Sequence, residues 1–135
     1  MRKLEEMAER FRRRYGTPIT QAQLIVEREA IGMNVGANGY TTAHQADLLA
    51  VRLDLSAGRL LLDLGCGRGW PGLYLANKTG CSAVLADLPE TALRFARVRS
   101  EEDGTSERVS IVRASAVHPP LRAKTFDAVC HTDTL

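Results

Sequence analysis

The chain has 135 residues, 44% of them hydrophobic and 25% charged, which is the composition of one ordinary globular core. It contains no run of about 18 apolar residues and no charged-then-apolar leader, so the expectation is a cytoplasmic protein without a membrane segment. A net charge of +2 is too small to indicate nucleic acid by itself. Cys66, Cys81 and Cys130 lack the close C-x-x-C pairing of zinc or redox sites, and His44, His118 and His131 show no ligand spacing. No metal is therefore expected.

Leu4, Met7, Ala8, Phe11 and Tyr15 recur at helical spacing and predict an amphipathic helix over 2–15. Its many arginines read as a solvated face with i,i+4 pairs such as Glu6–Arg10 and Glu9–Arg13, in preference to a phosphate-binding arm. Thr20 with Gln23, and Thr42 with Gln45, are capping-box patterns that open two further helices, the first stopping near Gly32 and the second before Ser56-Ala-Gly58. Between them, residues 34–40 are too rich in glycine and asparagine for regular structure. The organisation expected is a helical segment over 1–41, serving as a lid, and a ligand-binding domain over 42–135.

Residues 60–72 dominate the reading: Leu-Leu-Leu-Asp-Leu-Gly-Cys-Gly-Arg-Gly-Trp-Pro-Gly is a buried strand, a glycine turn and a helix start. Glycines there permit positive φ, and free N–H groups at a helix start favour a polar or anionic group. Gly67, Gly69 and Gly72 also fit the dinucleotide spacing G-x-G-x-x-G. Against that register, Asp63 stands at the end of the strand, where a carboxylate would repel a pyrophosphate. It suits a ligand with a cationic amino group, such as S-adenosylmethionine. The second strand, Ser82 to Ala86, ends at Asp87, 18 residues after Gly69, close to the offset at which an acid reaches ribose hydroxyls. A helix from Pro89 to about Arg99, a polar loop at 101–104, a strand through Val109, Ile111 and Val112, and a strand from Phe126 to Cys130 complete an alternation that predicts a doubly wound parallel α/β sheet.

The stretch from Asp63 to Gly69 resembles the first motif of the class I S-adenosylmethionine-dependent methyltransferases, and Asp87-Leu-Pro89 resembles their second. The resemblance covers roughly residues 40–135 and implies a Rossmann-like fold. It also implies a cofactor site in which Asp63, Gly65, Cys66, Gly67 and Gly69 hold the methionine end and Asp87 and Leu88 the ribose and adenine. Many members place an acid before alanine after the third strand. Here the pair is Ser115-Ala116, and a neutral hydroxyl acceptor is weaker by about 1 kcal/mol. His131, at the exit of the fourth strand, is a candidate base or cofactor contact, or an ordinary strand-end histidine. Tyr40-Thr-Thr42 falls where such enzymes fold an upstream segment over the cofactor, although a packed tyrosine and a capping threonine explain it equally.

The resemblance further implies seven strands, so a chain stopping at Leu135 is expected to lack the C-terminal part of the fold. A fragment, a natural truncation or a sheet completed by a second copy would each account for that. Methyl transfer to a small molecule is the expected activity, with no acceptor base identifiable. The alternatives are a nicotinamide-dependent oxidoreductase, a non-catalytic cofactor-binding or interaction domain, and, third, an RNA methyltransferase using the basic first helix. The absence of an Asn/Asp-Pro-Pro-aromatic signature argues against a nucleic acid base as acceptor.

Overall fold

A computed structural model describes residues 2–37 and 39–133. Three helices come first: α1 (Arg2–Gly16), α2 (Gln21–Ile31) and α3 (Ala43–Arg52). An alternating unit follows: β1 (Leu60–Leu64), α4 (Gly72–Thr79), β2 (Ser82–Asp87), α5 (Glu90–Glu102), β3 (Val109–Arg113) and β4 (Ala128–Cys130). Among the described residues no helix is long and apolar enough to cross a membrane.

The strands form one parallel sheet in the order β3-β2-β1-β4, with Leu61 opposite Ala83 and Ala128, and Asp63 opposite Leu85 and Cys130. The order reverses at β1, and in such sheets the ligand crevice lies at the carboxyl ends beside that switch point. Alternation sends Leu61, Asp63 and Leu85 to the side on which α4 and α5 lie. The core there joins them to Leu73, Leu75, Leu93 and Ala96. Asp127 closes the opposite end of the sheet, accepting from Leu60 N at 2.7 Å through Oδ2.

Both expected capping boxes are present. Thr20 and Gln23, like Thr42 and Gln45, each satisfy the other's backbone N–H, and α2 ends on Gly32 at φ +92°. Two expectations shift. The last helix continues through Glu101 and Glu102, so the polar loop shrinks to a turn at Asp103–Gly104. Its buried face is Ala92, Leu93, Ala96 and Ser100, whereas Phe95 and Val98 are about half exposed. Small residues face the sheet because helix and strands approach closely. α2 buries only Ile31, leaving Ile25 and Val26 exposed. On α1, Tyr15 is buried and Met7 exposed, while the side chains of Leu4, Ala8 and Phe11 lie outside the described residues. The Glu9–Arg13 pair forms at 3.5 Å.

Candidate cofactor site

The glycine turn is fastened to the sheet through its own main chain. Gly65 N and Cys66 N both donate to Ala86 O, at 2.7 and 3.2 Å, and Gly69 N donates to Cys66 O at 2.8 Å. Gly67 N donates to Asp87 Oδ2 at 2.7 Å, and Gly72 N to Asp63 Oδ2 at 3.0 Å. These five N–H groups therefore all have acceptors within the protein. The sequence expectation of free donors gives way, because the neighbouring strand and the two strand-end acids reach them first. A turn so committed offers little to a pyrophosphate. What it presents is acceptor character.

Asp63 is fully buried, its carboxylate aimed at the start of α4. A Cβ on Gly72 would stand 2.6 Å from Asp63 Oδ2 and 3.0 Å from Leu85 Cγ, so glycine is required there by close approach and not by backbone angle. Oδ1 has no hydrogen bond of ordinary geometry among the described residues. Burial pushes the Asp63 pKa up to about 7 and the charge of Asp87 adds to the rise, while the Gly72 N–H and the Cys130 thiol oppose it. Burial likewise pushes the thiols of Cys66 and Cys130 well above their usual range, so both are inert protonated side chains.

Asp87 is placed differently. It is half-buried at the end of β2, with Oδ2 on Gly67 N and Oδ1 on Leu88 N at 2.7 Å. Each oxygen keeps a lone pair, so the carboxylate can still accept from two vicinal hydroxyls. Leu88 follows, 44% exposed, its carbonyl held by Arg113 Nε at 3.0 Å. Ser115 is half-buried and its Oγ accepts from Val117 N at 3.2 Å, the local turn bond of a loop serine; Ala116 is exposed. His131 is exposed beyond β4. The turn, Asp87 and Leu88 thus converge through the two oxygens of the Asp87 carboxylate. Asp63 lies beneath the turn and holds it from inside.

Sequence reasoning missed the parts that lie over the turn. Asp133 Oδ2 accepts from Tyr40 N, Thr41 N and Thr41 Oγ1 at 3.0, 3.1 and 2.8 Å, and Trp70 Nε1 donates to Thr41 O at 2.9 Å. The segment around Tyr40 is thereby strapped across the exits of β1 and β4, with the Tyr40 ring 88% exposed. Glu27 Oε1 accepts from Val35 N and Ala37 N at 3.2 and 2.7 Å, and Arg99 donates to the carbonyls of Val35 and Asn34. Asn38 lies outside the described residues.

A doubly wound sheet with a glycine turn at its switch point and an acid at the end of the next strand defines a nucleoside-binding α/β domain. The chain belongs to the methyltransferase domain family, whose model matches residues 61–135. It is 42% identical over 78 residues to methyltransferase GfsG of Streptomyces halstedii, covering 58% of this chain and 28% of that protein. It is 31% identical to 27-O-demethylrifamycin SV methyltransferase of Amycolatopsis mediterranei, over 70% of this chain and 35% of that protein. The chain therefore spans about a third of the length of the curated relatives it matches. Among solved structures it resembles a SAM-dependent methyltransferase from Geobacter sulfurreducens in complex with S-adenosyl-L-homocysteine. That likeness has 26% identity and a TM-score of 0.55, covering 73% of this chain and 37% of that one.

Proposed function

We propose that the chain binds S-adenosylmethionine and takes part in methyl transfer to a small-molecule acceptor. The observation that carries this reading is the Asp87 carboxylate, held by Gly67 N and Leu88 N with a lone pair left on each oxygen, beside a turn five of whose N–H groups are already bonded within the protein. That carboxylate suits two vicinal ribose hydroxyls. The names and ligands of the relatives support the same choice.

In this reading Asp87 accepts the ribose hydroxyls, Leu88 lies against the adenine, and Ser115 and Ala116 form its rim. Gly65, Cys66 and Gly67 carry the methionine end, Asp63 fixes the turn from below and His131 borders the site. The cofactor, when bound, supplies a methyl group already activated by a sulfonium charge. What the protein contributes is mainly placement of the two reactants, worth up to about 7–11 kcal/mol in favourable cases. Residues 1–41 act as a cover and residues 42–135 as the binding domain. Three free, buried thiols favour the cytoplasm.

Titration calorimetry with S-adenosylhomocysteine and with NAD tests the assignment. Binding of the first and not the second is expected. Binding of NAD alone would reverse it in favour of the oxidoreductase.

A further inference from the structure

Arg68 sits inside the glycine turn, where a solvent-facing cation would be ordinary, yet it is only 8% exposed. Its guanidinium carbon lies 5.4 Å from the ring centroid of Tyr15 and 4.9 Å from that of Phe95, distances at which an aromatic face attracts a cation. Nη2 donates to Tyr15 O at 3.0 Å. A Cβ on Gly36 would stand 3.2 Å from Arg68 Cδ, so the loop after α2 closes a further side. Three segments that follow different paths, α1, the 33–37 loop and α5, thus meet on one side chain of the turn.

Tyr15 explains what this meeting does. Gly67 has φ +53°, and a Cβ there would lie 2.9 Å from Tyr15 Oη. The room opened by the second turn glycine is therefore filled by a hydroxyl carried on α1. The guanidinium that anchors Tyr15 is incompletely satisfied, since Nε is buried with no hydrogen-bond partner among the described residues. A buried cation held by one carbonyl and two ring faces, with a donor left over, is a contact that opens at small expense.

We propose that Arg68 is a clasp that gates the glycine turn. Closed, it holds Tyr15 over Gly67; open, it releases the last turn of α1 and lets a nucleoside ligand enter or leave. Arg68 acts through Tyr15 and is a positioning residue. The inference rests on the reading of this turn as an S-adenosyl ligand site. A gate that must open in both directions scales association and dissociation together and leaves the equilibrium nearly unchanged.

Surface plasmon resonance with S-adenosylhomocysteine on the immobilised chain tests this. Arg68→Ala is expected to raise both rate constants at least fivefold with Kd within twofold, and Tyr15→Ala to do the same. The double variant should add nothing to either single one, because the two residues act as a unit. Arg68→Lys, which keeps the charge and loses the flat face, should fall between. Phe95→Leu removes one ring face from the guanidinium while leaving Arg68 and Tyr15 themselves unchanged, and should raise both rates about threefold, so the gate stays testable should Arg68→Ala fail to fold. Rates within twofold of the parent chain in these variants would overturn the gate. So would a faster dissociation matched by an equal loss of affinity, which would make Arg68 part of the ligand's own contacts. A parent chain that binds no S-adenosylhomocysteine would overturn the cofactor assignment itself and the gate with it.

Discussion

The glycine turn at 65–72 and the glycine-rich loop between α2 and α3 look alike on paper and are held by opposite means. The turn is fixed from within the sheet, by Ala86 O and by the acids ending β1 and β2. The loop is fixed by side chains: Glu27 of the helix before it, and Arg99, Trp70 and Asp133 from farther along the chain. In both, glycines stand where a Cβ would meet a neighbour, Gly72 against Asp63 and Gly39 against Asp133. The difference lies in what does the crowding: in the turn at Gly72 it is residues of the sheet, and in the loop it is side chains reaching in from elsewhere. The first arrangement is rigid by construction, and the second is released one bond at a time.

The strongest test of that contrast is Gly72→Ala. Its methyl would press on a buried carboxylate and on Leu85, and a loss of about 2–3 kcal/mol in urea unfolding is expected. A loss under about 0.5 kcal/mol would show that the turn yields as easily as the loop. The same contact has a pH signature. Asp63 has a folded pKa of about 7, above its unfolded value of 3.8. Between those values the folded state binds more protons than the unfolded one, so stability falls as pH rises from about 4 to about 7. Asp63→Asn keeps an acceptor for Gly72 N and should flatten that part of the profile. An unchanged slope would assign it to other groups.

Asp87→Asn comes next. It removes the charge proposed to receive the ribose and should weaken S-adenosylhomocysteine by about 2 kcal/mol, roughly thirtyfold, in calorimetry. In the loop, Glu27→Ala strands two partly buried N–H groups and should lower stability by about 1 kcal/mol, with faster amide exchange at Val35 and Ala37. The smallest effect is that of Asp133→Ala. Its three bonds are exposed to solvent, so about 0.5 kcal/mol is expected, with faster exchange confined to Tyr40 and Thr41.

This difference also decides what could be read from sequence. The strand, the turn, α4 and the place of Asp87 follow from short-range pattern, since apolar runs, glycines and acids there act on residues near them or at a fixed offset. Both capping boxes were legible because each closes within three residues. The direction of Asp63 was not. Nothing local says whether an acid at a strand end faces outward or, as here, under the following helix; only the parity of β1 against α4 does. The partners of Arg68, Arg99 and Asp133 were not legible because they lie 53, 64 and 92 residues away. Phe95 lies half exposed against the Arg68 guanidinium, a contact that no pattern within α5 encodes. The strap over Tyr40 was foreseen as a place, and its anchor at Asp133 was not.

Trp70 gives the strap a second consequence. It is the only tryptophan in the chain. Its ring is buried beside Tyr74, and its Nε1 donates to the strap at Thr41 O. Loss of that bond would wet the indole and lengthen its emission wavelength. The native protein thus carries its own optical reporter, placed where the Tyr40–Thr41 segment is bonded to the turn.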